Sequence, residues 1–379
     1  MPTTLNASSA LAIQMRAQDI FNLDKTQAFN QYANPAPTAT ALLTRNGLRF
    51  APIFTNANRC VELKVWRPDL TDLMTDTLYS GTVPDASATC TLAAGARIGS
   101  LSQTILPNVY IAERFSIDDD LCNNDFDFAN QVALSLNAIM TRMRSELNRR
   151  GILFLNANAG ANVATGDATE NTWTIAGGNT TIPKAQWETA DILMKLNIAA
   201  AKNRLPEGFL IVDGTNLLLQ SELAPYLGLN GDGRSTGALY KDLARNYTAD
   251  MLNLSAVVGS NSTFLVNPNM VGFYNRSKYT SSPIMLDAAN NTQAFSVQDP
   301  ELMYRRVLLN ESGTQRGSAE MVPVTYDVLY QKVCTDRDSG GRLTFNHTWE
   351  VMFEGAYILG PTGVSPQNTT GILKFIKGA

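Results

Sequence analysis

One histidine, His347, and four cysteines occur among the 379 residues, and Cys60, Cys90, Cys122 and Cys334 lie too far apart for any Cys-x-x-Cys pair. That leaves no zinc site of the usual ligand spacing. Thiols so scattered read as reduced, buried side chains of a protein made in a cytosol. Charge is also sparse: 17% of residues are charged, and 30 basic against 34 acidic side chains give a net charge of −4. With no block of Lys or Arg, the chain lacks the electrostatic footprint of a dedicated nucleic-acid or membrane-surface protein. No apolar run reaches the ~18 residues of a membrane span, and the first twenty residues lack the basic start and apolar core of a signal peptide. The sole acidic run, Asp118 to Asp120, is followed by Leu121, Cys122, Asn123 and Asn124. This is not a calcium-loop pattern, and the run reads as a solvated cap ahead of a helix.

Catalytic signatures are missing too. Residues 209–212 (FLIV) run through Asp213, Gly214 and Thr215 into a helix expected over 216–223, an arrangement that opens many nucleotide and nucleophile sites. Neither GxxxxGK followed by Ser or Thr nor GxSxG accompanies it. The glycine-rich stretch 228–237 (GLNGDGRSTG) follows a helix rather than a strand and is read as a surface tip. No catalytic, cofactor-binding or metal-ligating residue is assigned, and no cofactor is expected. A carboxylate pair drawn from the 34 acidic residues would be the route to a hydrolase of polar substrates, but nothing singles out two of them.

What is present is a packed-protein composition, 44% hydrophobic and rich in Asn, Thr, Ser and Ala, in a chain long enough for two or three cores. The strongest periodic segment is 125–151, where Phe128, Val132, Leu136, Ile139, Met143 and Leu147 recur at helical steps. Asn137, Thr141, Arg142, Ser145 and Asn148 fall largely off that stripe. The spacing predicts a helix of roughly seven turns, on the order of 40 Å. Acidic residues precede it, Arg142, Arg144, Arg149 and Arg150 occupy its last turns, and Gly151 is expected to stop it.

Residues 1–50 read as an arm, with a short amphipathic helix over 8–21 (Leu11, Met15, Ile20) and an aperiodic stretch over 30–40 containing Pro35 and Pro37. Val61, Leu63 and Val65 alternate with polar residues, as do Val109, Ile111, Glu113 and Phe115. If these two strands pair, the roughly 40 residues between them form a long excursion from the body. A Gly- and Asn-rich stretch over 154–181 leads to a second helix over 182–204 carrying Trp187, Ala190, Met194, Ile198 and Ala201. Short strands are expected at 255–258, 263–266 and 304–309. The chain closes with strands 321–333 and 342–357 joined by a turn over 336–341. In the last strand Leu343, Phe345, His347, Trp349, Val351 and Phe353 share one face, so His347 reads as a core histidine rather than a base.

In this order of segments the chain resembles the major capsid protein of tailed bacteriophages, the Hong Kong 97-type fold. The resemblance implies an α+β fold: a long spine helix packed on an antiparallel sheet (peripheral domain), a mixed α/β axial domain, an extended N-terminal arm and a long β-hairpin E loop. Residues 1–50 correspond to the arm, 51–117 to the E loop and its strands, 118–203 to the first part of the peripheral domain, 204–310 to the axial domain and 311–379 to the returning peripheral part. It further implies a non-enzymatic coat subunit that forms hexamers and pentamers in an icosahedral shell. That shell would enclose double-stranded DNA without sequence-specific binding, contact no membrane, and belong to a virion assembled in a bacterial cytoplasm. A separate scaffolding protein and a portal are the implied partners, and no crosslinking residue is carried over. An encapsulin-type compartment shell is the alternative within the fold, and a carboxylate-dependent hydrolase the alternative outside it. Deletion of residues 69–104 is expected to leave a folded subunit that assembles poorly.

Overall fold

The computed structural model describes Met15 and residues 35–45, 47–48, 50–54, 61–69, 99–118, 125–159, 173–189, 192–203, 205, 208–218, 246–259, 261–309, 316–337, 343–360 and 371–378. The elements in chain order begin with helix α1 (Pro37–Thr44) and strands β1 (Phe50–Phe54), β2 (Val61–Asp69), β3 (Gly99–Ile105) and β4 (Val109–Asp118). Helix α2 (Asp125–Ala159) comes next, then β5 (Thr174–Ala176), β6 (Asn179–Ile182), α3 (Lys184–Trp187) and α4 (Ile192–Lys202). After these stand β7 (Leu210–Asp213), β8 (Tyr247–Ala249), α5 (Met251–Val257) and β9 (Ser262–Val266). The closing strands are β10 (Val271–Arg276), β11 (Ile284–Asp287), β12 (Thr292–Leu309), β13 (Arg316–Arg337), β14 (Leu343–Leu359) and β15 (Ile372–Lys377).

These form a mixed α/β protein with two sheets. The nine-stranded sheet runs β10-β14-β13-β12-β1-β2-β3, with β4 on β14 and β11 on β12. The six-stranded sheet runs β5-β6-β15-β9-β7-β8. The larger is mainly antiparallel and two-faced, as the alternation in β14 dictates. His347, Trp349, Val351 and Phe353 are buried, while Asn346, Thr348, Glu350, Met352 and Glu354 between them are half-exposed. The smaller sheet is buried on both faces at its centre. Phe264, Val266, Leu210, Val212 and Ile372 point into the core beneath α2, while Leu265, Ile211, Leu373 and Phe375 point into a second core with Trp173, Trp187 and the buried side of α4. It is the wall between two cores.

The apolar stripe of α2 lies as the periodicity requires, with Val132, Leu136, Ile139, Met143 and Leu147 all at most 2% exposed in the core shared with β13 and β14. Each such side chain contributes about 1.5–3 kcal/mol of burial energy. The end of the helix differs from expectation: it continues past Gly151 to Ala159, 35 residues in all, or about 52 Å. Ile152, Leu155 and Ala159 extend the stripe. Gly151 is a contact residue rather than a stop, since a Cβ there would stand 3.0 Å from the Tyr357 hydroxyl. The arginines of 142–150 therefore sit mid-helix, and no basic residue occupies the last turn. Arg149 and Arg150 both reach back to Glu146, at 2.6 and 2.9 Å.

Further corrections concern pairing and local form. β2 pairs with β3, not β4, while β4 pairs along β14 from Val109↔Gly355 to Asp118↔Asn346. β4 alternates because it is the edge of the body's sheet. The hairpin's returning strand is the weakly patterned GSLSQTI of β3. Part of the stretch 30–40 is helical in α1: Pro37 suits the first turn, and Ala39, Leu42 and Leu43 bury against the body. The helix expected over 182–204 is two pieces, α3 and α4, preceded by strand β6. Residues 255–258 lie in and just after helix α5, whose N-cap Asp250 accepts a bond from the Asn253 amide. The helix expected over 8–21, save Met15, the tip at 228–237 and most of 216–223 lie outside the described residues, as does much of the turn at 336–341.

Candidate functional site

Among the described residues four aspartates are buried, and each is held by donors from the fold. Asp299 accepts Arg144 Nε at 2.8 Å and Nη2 at 2.7 Å, the Tyr326 hydroxyl at 2.9 Å, and the amides of Glu301 and Leu302. Burial alone would lower the Arg144 guanidinium, but the hydrogen bond and charge of Asp299 outweigh it and hold it above its ordinary value. Tyr326 is pushed well up by burial and then by Asp299.

Asp250 joins three segments distant in sequence. Its Oδ2 accepts the Thr38 hydroxyl at 2.7 Å and Asn148 Nδ2 at 2.6 Å, while Asn148 Oδ1 accepts the Ala39 amide at 2.7 Å. α1, α2 and α5 are thus joined through one carboxylate, and Asn148, expected off the buried stripe, is fully buried. Asp213 ends β7 and accepts Thr263 Oγ1 at 2.6 Å, the Leu217 amide at 2.9 Å and the Tyr247 hydroxyl at 3.0 Å. Burial raises its carboxyl above the ordinary range against the pull of those bonds. Asp327 accepts Ser277 Oγ at 2.7 Å and the Lys278 amide at 2.9 Å.

These four are joints: their oxygens are taken up by the chain's own donors. His347 is likewise a core residue, 1% exposed, bonded through Nδ1 to the Tyr330 hydroxyl at 2.8 Å and stacked against Trp349. Among the described residues no three His, Cys, Asp or Glu side chains are grouped as metal ligands, and no helix is long and apolar enough to cross a membrane. Periodicity could not have revealed the Arg144–Asp299 and Asp250 joints, because their members lie more than a hundred positions apart. The Asp before α5 was the one local sign, as an N-cap.

The features that point outward are of another kind. β2 and β3 continue the sheet beyond β1 as a two-stranded ribbon, and β1 pairs in parallel with β12, among the described residues at Phe50↔Leu308. Leu106 and Tyr110, at the junction of β3 with β4, remain more than half exposed. Ile284, Met285 and Leu286 of β11 are all exposed in succession, as are Met194 and Ile198 on the outer side of α4. Of these only β11 is an edge strand with successive exposed apolar residues, the kind of edge on which another chain can pair or pack.

The architecture is thus a two-sheet α/β body crossed by one long helix, with a ribbon extending from it. No family model matches the chain, and no curated protein matches it. Among solved structures it is similar to a chain from Mycobacterium phage Adephagia, at 11% identity over 93% of each chain and a TM-score of 0.42. It is similar also to a chain of the capsid structure of the cyanophage P-SCSP1u, at 11% identity over 88% of this chain and 87% of that one, with a TM-score of 0.39. A chain from Microbacterium phage Oxtober96 is 12% identical over 95% of this chain and 98% of that one, with a TM-score of 0.38.

Proposed function

We propose that this protein is the coat subunit of a phage shell, with a structural rather than catalytic role. The observation that carries the reading is the ribbon of β2 and β3, which among the described residues is joined to the rest of the nine-stranded sheet through β1 alone. A shell subunit needs a rigid body and extensions that reach its neighbours. In this reading α2 is the spine, the ribbon is the E loop, residues 1–50 contain the arm, and the segment 204–310 contains the axial part. Buried aspartates wholly occupied by structural bonds suit a scaffold of fixed shape. Copies would assemble as hexamers and pentamers around DNA held without sequence recognition, with a scaffolding protein and portal supplied separately.

The test is to replace residues 70–98 with a two-residue turn and to purify both forms. The expected outcome is a variant with the parent's thermal unfolding but no closed particles in sedimentation or electron microscopy, where the parent forms megadalton shells. A parent that stays a small oligomer, or a variant that closes normally, would sink the assignment. Nucleic acid inside the parent particles is expected; empty or protein-filled particles would favour a compartment shell instead.

A further inference from the structure

We propose that Asp299, gripped by Arg144, is a clasp that sets the direction in which the outer ribbon leaves the main sheet. β12 and β13 pair in two stretches. Residues 292–298 face 325–331 within the body, and 303–309 face 316–323 in the part that carries β1 and, through it, β2 and β3. Between the stretches the register shifts: residues 299–302 on β12 stand opposite Val324 alone. Surplus residues of this kind bend a strand and redirect the chain beyond them. Left to itself, such a bulge has several near-equal ways to fold, each aiming the outer stretch differently.

Asp299 removes that freedom. Its Oδ1 folds the bulge on itself by accepting the amides of Glu301 and Leu302 at 2.9 and 2.8 Å. Its Oδ2 accepts the Tyr326 hydroxyl on the neighbouring strand at 2.9 Å. The planar Arg144 fork grips both oxygens from α2, and Glu301 adds a longer contact of 3.4 Å to the same guanidinium. The Arg144 and Asp299 side chains are 2% and 0% exposed. A buried ion pair is a poor source of net stability, because desolvation offsets most of the attraction; its best-attested use is to select one arrangement among several. Here the arrangement is the register and angle of the bulge relative to the stiffest element of the body. Downstream, Leu302 and Tyr304 are still buried, Tyr304 against Phe273, while the Arg306–Glu320 pair beyond them is exposed, so the clasp sits just inside the point where the paired strands leave the body. A second register shift, between Val307 and Leu309, lies beyond it.

This rests on the shell reading for its importance but not for its test. In the full chain, Arg144→Met with Asp299→Asn removes the ion pair and keeps an acceptor for the two bulge amides. Amide hydrogen exchange in the unassembled subunit is expected to quicken by roughly tenfold in 303–309 and 316–323, with 326–333 and 347–357 unchanged. Assembled material is expected to lose uniform closure in electron microscopy. Unchanged exchange in the outer stretch overturns the proposal, and so does an equal rise across both stretches, which would make the pair a general stabiliser. If the double variant does not fold, Arg144→Lys keeps the charge without the fork. A smaller rise confined to the outer stretch supports the clasp, and none refutes it. If the parent forms no particles, the shell reading fails while the exchange result still decides the clasp.

Discussion

Gly151→Ala sets two physical effects against each other, and their magnitudes fix the sign. In a helix interior, alanine is favoured over glycine by about 1 kcal/mol. Against that, the new Cβ would meet the Tyr357 hydroxyl oxygen at 3.0 Å and its ring carbon at 3.1 Å. Tyr357 has little room to withdraw. Its hydroxyl donates to the Leu147 carbonyl at 3.2 Å, and its ring lies 5.2 Å from Phe273 and 5.6 Å from Phe154. Overpacking costs about 1–3 kcal/mol, and displacing the buried hydroxyl about 1 kcal/mol more. The net expectation is a loss of about 1–3 kcal/mol. Urea unfolding of the unassembled subunit should show it as a lower midpoint at unchanged slope. Adding Tyr357→Phe removes the offending oxygen, so the double variant should recover most of the loss, with a coupling of about 1–2 kcal/mol. A Gly151→Ala variant more stable than the parent, or losses that simply add, would refute the close-approach reasoning.

Thr38→Val removes one of the two side-chain donors to Asp250 Oδ2 and should cost about 1–2 kcal/mol. It should also speed proteolysis within 36–48, since α1 hangs from that joint; an unchanged cleavage rate would show that α1 is held by its leucines alone. Glu146 is held below its ordinary 4.5, first by its hydrogen bond to Arg149. Its contribution is therefore present above about pH 4.5 and lost as pH falls through the lower folded value. Both arginine partners are more than a third exposed, so Glu146→Gln should cost only a few tenths of a kcal/mol near neutrality and nothing at the acid end. An equal cost at every pH would assign the loss to packing.

Where one face of an element meets one core, the sequence was readable. The files His347, Trp349, Val351, Phe353 and Val132, Leu136, Ile139, Met143, Leu147 lie as their periods require. Gly151 misled because glycine after arginines is the usual mark of a helix end, whereas here it admits a tyrosine from β14. The hairpin was mispaired because β4 has the stronger alternation, and that alternation comes from the sheet it joins, not from β2. Residues 255–258 carry β-branched valines, but tertiary burial of Leu254 and the Asp250 cap favour a helix. The polar joints were illegible for a different reason: Thr38, Asn148 and Asp250 are neighbours only in three dimensions.

β15 has a consequence in time. It lies between β6 and β9, parallel to one and antiparallel to the other, and fills both cores. The smaller sheet therefore has no middle until residue 377 has left the ribosome, although its other strands were made more than a hundred residues earlier. A chain interrupted before that point has an open wall between its two cores, with Leu265 and Phe264 uncovered along one edge. Under the shell function proposed above, a chain cut short before β15 would then be kept from a growing lattice.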